Sequence, residues 1–168
     1  MTIENLSSFK TPLLSHLNEK GEATMVDVGE KLATQRRAIA GCEIHMKPET
    51  LSMLQSGQIK KGDAFTVAKM AGILAVKKTA ELIPLCHPLP LDYIEILFFD
   101  RPVGGGIFVQ SEVRTTAKTG VEMEALTGAM TAALTIYDMA KSYDPAMVIN
   151  NLHLIQKSGG KNDPTISF

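Results

Sequence analysis

Tryptophan is absent from this 168-residue sequence, and the aromatic complement is six phenylalanines and three tyrosines. A protein that grips nucleic acid through stacked bases needs exposed aromatics on its binding face, so that class has little to work with. Charge of one sign is missing too. Seventeen lysines and arginines stand against 18 aspartates and glutamates, a formal net charge of −1, whereas a general nucleic-acid or membrane-surface binder is expected to be basic. No apolar run approaches the roughly 20 residues of a membrane span. The opening MTIENLSSFK has neither the basic start nor the apolar stretch of a secretory signal. Two cysteines make no disulfide framework, and a reducing cytoplasm is the expected compartment.

What is present is ordinary for a globular chain: 45% hydrophobic and 21% charged residues. The length suits a single domain over residues 1–168 with a real core. Residues 1–23 read as a flexible, polar N-terminal arm, and 158–168 as a flexible tail. MVDVG, from Met25 to Gly29, is a candidate edge strand. From Arg36 to Met46 the chain alternates, with Ala38, Ala40, Cys42, Ile44 and Met46 on one face and Arg37, Glu43 and His45 on the other. That is a half-buried strand. PETLSMLQSG follows as a short helix, Pro48 near its first position and Gly57 as its stop.

A longer helix is predicted from Asp63, a good N-cap, to Glu81, with Val67, Ala71, Leu74, Ala75 and Lys78 at helical spacing. Leu91–Phe99 and Ile107–Thr116 read as strands joined by DRPVGGG, a hairpin. Glu122–Lys141 is the strongest helix, and Met147–Lys157 a last strand. This order is an α+β, ferredoxin-like β-α-β-β-α-β plait, its antiparallel sheet carrying the helices on one face, with an extra short helix and the N-terminal arm. The other face then needs cover from extra segments or a second subunit. The small residues Gly128, Ala129, Ala132 and Ala133 suit either a close subunit contact or internal packing, with the subunit slightly favoured.

Four groups of residues carry chemistry. ELIPLCHPLPL places three prolines around adjacent Cys86 and His87. Proline fixes φ and donates no hydrogen bond, so this is a stiff loop. Adjacent side chains rarely reach one metal ion, and adjacency is not the geometry of a nucleophile and its base. Two readings stay open: a buried cysteine beside a histidine that satisfies loop backbone, or a rigid wall of a polar pocket. Lys60 and Lys61 of IKKGDAF stand before a helix N-terminus, where free N–H groups and the dipole already favour an anion. A merely solvated lysine face is the alternative.

On the last helix, Asp138 and Lys141 are three apart and so are neighbours. At 100° per residue, Glu124 falls within about 40° of Asp138 on the same side. A carboxylate beside a lysine in an apolar wall suits a general acid/base pair; the alternative is a surface ion pair. Glu122 and Glu124 also suit the first turn, where acids complement the dipole. Lys157 and Lys161 flank SGG, only loosely like a phosphate-binding loop, whose spacing differs.

Taken together, MVDVG, QRRAIAG, KKGDAFTVAKMAGILAVKKTAELIPLCHPLPL, TGVEMEALTGAMTAALTIYDMAKSYDPAMVI and QKSGGK closely resemble the MoaC family of molybdenum-cofactor biosynthesis, over nearly the whole chain from Leu13 to Lys161. The resemblance implies a lyase of ferredoxin-like fold that converts a cyclic dihydro-GTP, made by a radical S-adenosylmethionine GTP cyclase, to cyclic pyranopterin monophosphate with release of pyrophosphate. It implies homohexamers, trimers of dimers, with active sites at subunit interfaces. No resident cofactor or metal is implied; whether Mg2+ accompanies the triphosphate is left open. By resemblance Asp138 is the catalytic aspartate, Lys141 acts with it as acid/base, and Lys61 and Lys157 are further active-site lysines. Arg36 and Lys78 join in holding phosphates. Leu85, Cys86 and His87, and Met123 and Glu124 with Glu122 beside them, match the substrate-binding segments. Gly29 stands where the family often has serine. After SGGK the family usually continues Ser-Gly, whereas this chain reads NDPTISF, which leaves Lys161 open.

Two other classes use the same plait. A sensing module would bind a nucleotide without turning it over. An RNA-binding plait would need several exposed aromatics and a basic sheet face, and IFVQSEVRTT offers one phenylalanine and one arginine.

Overall fold

The computed structural model describes residues 20–101 and 105–160. Most of the expected N-terminal arm, the tip of the DRPVGGG turn and the expected tail from Lys161 lie outside the described residues. Strand β1 (Thr34–His45) leads into helix α1 (Pro48–Gln55), α2 (Ala64–Lys77) and the four-residue α3 (Thr79–Leu82). The hairpin β2 (Tyr93–Asp100) and β3 (Ile107–Ala117), helix α4 (Glu122–Ala140) and β4 (Val148–Ser158) follow. The sheet runs β2-β3-β1-β4 with every neighbouring pair antiparallel. That order is the ferredoxin-like plait, with the helices packed on one face. Among the described residues no helix is long and apolar enough to cross a membrane.

The alternation of β1 holds: Ala38, Ala40, Cys42, Ile44 and Met46 are all buried against the helices. Burial also pushes the Cys42 thiol up to about 12, so this cysteine packs as a small apolar group. MVDVG forms no strand. The Asp27 carboxylate accepts the Gly29 N–H at 2.7 Å and Lys31 N–H reaches Val28 O at 3.1 Å. This local Asx turn bends the backbone away from any ladder.

The predicted 63–81 helix is two helices. Asp63 caps it as expected, accepting the N–H groups of Phe65 and Thr66. It stops at Lys78, whose φ and ψ of −109° and 10° leave the helical region. The buried Thr79 hydroxyl donates back to the carbonyls of Ala75 and Val76, which competes with continuation of the ladder.

The inward face of α2 also differs from the one its apolar residues suggest. Ala64, Ala68, Gly72, Ala75 and Val76 are buried, while Val67 and Leu74 are 43% and 53% exposed. Volume explains this. A β-carbon on Gly72 would lie 3.0 Å from Gly128 O and 3.2 Å from Ala132 Cβ, so α2 and α4 touch nearly backbone to backbone. At that separation only the smallest side chains fit. Gly128 is tighter still, with Val76 Cγ2 at 2.6 Å and Ser111 Oγ at 2.7 Å from the place of its missing β-carbon. Gly128, Ala129, Ala132 and Ala133 therefore serve packing inside the chain, not a subunit contact. Gly128→Val should lower stability by about 1–3 kcal/mol through overpacking, read as a shift in urea midpoint at unchanged slope.

Beyond α4 the chain is anchored by Asp144, which is 1% exposed. Its carboxylate accepts the Lys47 N–H at 2.9 Å and the Thr50 hydroxyl at 3.3 Å, supplying the cap that α1 lacks locally. The Lys47 N–H, more than any charge, holds the Asp144 carboxyl below its usual value. A depressed carboxyl stabilises the fold above its unfolded pKa of about 3.9, and that contribution is lost as pH falls through the lower folded value. Asp144→Asn should thus be less stable at pH 7 and lose less on acidification, as measured by urea unfolding between pH 7 and pH 2.

Candidate active site

The turn from Ile59 to Gly62 is held by the buried Ile59 and closed by Gly62 N–H to Ile59 O at 3.0 Å. Gly62 has a φ of +100°, a left-handed conformation that glycine adopts without strain. The turn sends Lys61 across to the C-terminal end of α4. There its Nζ donates to the backbone oxygen of Asp138 at 2.8 Å and to Asp138 Oδ2 at 3.2 Å. Lys141, one helical turn beyond Asp138, donates to Oδ1 at 2.7 Å. One carboxylate is thus clamped between two ammoniums, all three roughly half exposed. Lys141, and secondarily Lys61, holds the Asp138 carboxyl below the usual range, and Asp138 in turn holds Lys141 above its usual value.

Lys60 and Lys61 do not make an anion site at the start of α2. The N–H groups of Phe65 and Thr66 in the first turn of that helix are taken by the Asp63 carboxylate, which therefore already fills the place an arriving anion would use. Lys61 serves the other helix instead.

A second group lies at the N-terminal end of α4. Arg36, from the start of β1, and Glu122 and Lys157 line one cavity of about 680 Å3 with Lys31, Lys118 and the Gly159–Gly160 turn. Lys157 Nζ meets Glu122 Oε1 at 3.2 Å, each side chain about one-third exposed. Arg36 Nε is buried and finds no hydrogen-bond partner among the described residues. Gly159 has a φ of +90°, and a β-carbon there would lie 1.8 Å from Gln35 O. Glycine is therefore what lets the end of β4 close against β1 beside Arg36.

The third group is the proline loop. Glu124 is 4% exposed, and burial pushes its carboxyl up, with Glu122 adding to the effect. Burial, then the charge of Glu124, raises the Cys86 thiol, so Cys86 is no activated nucleophile. His87 and Glu124 line a cleft of about 120 Å3 together with Val76, Thr79 and Leu89. The stiff LCH segment thus faces the first turn of α4, while Met123 beside it is 39% exposed.

The predicted residues therefore gather at two places. Arg36, Lys157, Glu122, Glu124, Cys86 and His87 surround the beginning of α4, and Lys61, Asp138 and Lys141 its end. Sixteen residues separate Glu122 from Asp138, about 24 Å along the axis at 1.5 Å per residue. Glu124 and Asp138, although on similar helical azimuths, differ sharply, one buried and one exposed. Leu85 is half-buried in the loop and Lys78 is exposed; Lys77, not Lys78, lines the smaller cleft. Sequence reasoning misses Lys31 and Lys118. Lys118 carries a signal, a cation two residues ahead of the turn that opens a helix. Among the described residues no group of three or more His, Cys, Asp or Glu could hold a metal ion.

The chain is 53% identical over 149 residues to the cyclic pyranopterin monophosphate synthase of Pelotomaculum thermopropionicum, covering 89% of this chain and 88% of that one. It is 51% identical over 148 residues to the enzyme of the same name from Herpetosiphon aurantiacus, covering 88% and 90%. To that of Brevibacillus brevis it is 51% identical over 153 residues, covering 90% and 94%. The MoaC family model matches residues 25–160, a span that holds every side chain of the three groups above, and the chain belongs to the MoaC family.

Proposed function

We propose that this chain is a cyclic pyranopterin monophosphate synthase, a lyase acting in molybdenum-cofactor biosynthesis. Its substrate is the cyclic dihydro-GTP (8S)-3',8-cyclo-7,8-dihydroguanosine 5'-triphosphate, supplied by a radical S-adenosylmethionine GTP cyclase, and pyrophosphate is released. The observation that carries the reading is the carboxylate of Asp138 clamped between Lys141 and Lys61. Opening a purine-derived ring and reclosing it as a pterin calls for several proton transfers, hence for donors and acceptors fixed at one spot. Asp138 is ionised at neutral pH, and the two ammoniums beside it are charged donors. Substrate that breaks either contact frees a lysine to give its proton, with Asp138 left as the acceptor. Arg36 and Lys157, which line one cavity, are assigned to the triphosphate. Cations there offset the charge that develops on the departing pyrophosphate. Leu85, Cys86, His87, Met123, Glu124 and Glu122 are assigned to the ring system.

The separation of the two groups of residues also supports an oligomer. One chain cannot close both around a single small molecule, whereas a second copy placed with its Asp138 end against the first chain's Lys157 end completes the site. A cytoplasmic homohexamer, a trimer of dimers with sites between subunits, satisfies this.

The test is turnover of the cyclic dihydro-GTP, with and without Mg2+, followed by pyrophosphate release and by pterin fluorescence after oxidation. Lys141→Ala and Asp138→Asn, folded by circular dichroism, should lose at least about 100-fold in kcat. Tight binding without product from the wild type would make the chain a sensing module. Mixing the inactive Asp138→Asn and Lys157→Ala chains tests the shared site. In a two-fold arrangement the mixed pairs hold one intact site of two, so an equal mixture that re-equilibrates should regain about a quarter of wild-type activity. Sites contained within one chain would regain none.

A further inference from the structure

The loop between β3 and α4, Lys118–Val121, contains a glycine that no turn requires. Gly120 has no left-handed φ, so its backbone is open to any L residue. Its β-carbon position is nevertheless occupied. An added Cβ would lie 1.9 Å from Oε2 of Glu122, 2.7 Å from Cδ and 2.9 Å from Oε1. The Glu122 side chain has folded back over Gly120 into the room a side chain would fill. From there its Oε1 meets Lys157 Nζ at 3.2 Å, on the wall of the cavity that both line with Arg36.

We infer that Gly120 is a positioning residue: its missing side chain is what lets the Glu122 carboxylate reach Lys157 and hold that ammonium in place. The inference rests on the reading above, in which Lys157 and Glu122 serve the substrate. A methyl group at position 120 would meet only the far end of a flexible side chain, not backbone. The fold would survive, and the carboxylate would swing to another rotamer. Lys157 would then lose its partner. An inorganic polyanion gains from such a release, because it no longer competes with Glu122 for the ammonium. Chemistry that needs Lys157 at one position loses by it.

The experiment compares Gly120→Ala with the wild type, with Glu122→Gln, and with the double variant Gly120→Ala, Glu122→Asp. Thermal unfolding of Gly120→Ala should be unchanged or shifted slightly upward, since alanine at a permitted position restricts the unfolded chain. Inorganic pyrophosphate, titrated calorimetrically at low salt, should bind about 3- to 10-fold more tightly to Gly120→Ala, as to Glu122→Gln, with the gain fading as salt rises. In turnover, kcat should fall about 10-fold or more with KM unchanged or lower. The double variant, whose shorter carboxylate is one methylene withdrawn from the new methyl group, should recover part of that loss. A crystal structure of Gly120→Ala in which the Glu122–Lys157 contact persists would overturn the inference. So would unchanged pyrophosphate affinity and unchanged kcat together, or a double variant whose kcat lies below that of Gly120→Ala. If the wild type does not turn over the cyclic dihydro-GTP, the reaction assigned above fails; the crystal structure and the pyrophosphate titration still decide the role of Gly120.

Discussion

The near contact of α2 and α4 through Gly72 and Gly128 governs what the rest of the molecule can do. It draws α4 so deep that Ala125, Gly128, Ala129, Ala132, Ala133 and Ile136 are all buried. The inward face of that helix has no room for a functional group, because each side chain there is limited to the volume left between α2 and the sheet. The charged residues of α4 stand at its two ends. Glu122, Met123 and Glu124 occupy one, Asp138 and Lys141 the other. The alanine-rich centre and the separation of the two polar groups go together on this one helix.

Much of this fold was legible because its elements follow strict periods. The alternation in β1 and the hairpin pattern of β2 and β3 leave little choice of register once one face must be buried. Where reading failed, volume or local hydrogen bonding outweighed hydrophobicity. Val67 and Leu74 are the more apolar residues of α2, yet Gly72 and Ala68 are inside, since helix separation is a tertiary quantity that no window of sequence contains. The break at Lys78 depends on a threonine hydroxyl that bonds backward, and the missing strand at 25–29 on an aspartate that bonds forward. Both are side-chain options that compete with regular structure.

The site divides along the same line. Asp138 with Lys141 was readable from a spacing of three on a helix. That Lys61 would join them was not readable from spacing, because it lies 77 positions from Asp138 and only the packing of the α1–α2 turn on the end of α4 brings it there. The family resemblance supplied Lys61; the geometry supplies the reason, an ammonium that meets both the carboxylate and the backbone oxygen of Asp138 in the last turn of the helix, where the dipole favours positive charge.

The neighbours Arg36 and Arg37 show how one strand allots two like charges to different faces. Successive side chains of a strand leave on opposite faces. Arg37 takes the face away from the helices and is bound there by both oxygens of Glu112, at 2.7 and 2.8 Å, and by Gln156 at 2.9 Å. Arg114 reaches the same carboxylate at 2.6 Å. Arg37 above all, then Arg114, holds the Glu112 carboxyl below its usual range, so this carboxylate stays ionised between its two guanidiniums. Arg36 leaves on the helix side, where its buried Nε has no such partner among the described residues. A guanidinium in that state is costly to leave unpaired. An arriving phosphate oxygen would remove the cost, whereas at Arg37 it would first have to displace a carboxylate held by two bonds. Of the two arginines that line the cavity, Arg37 is thus committed to the sheet, while Arg36 has one buried nitrogen without a partner among the described residues.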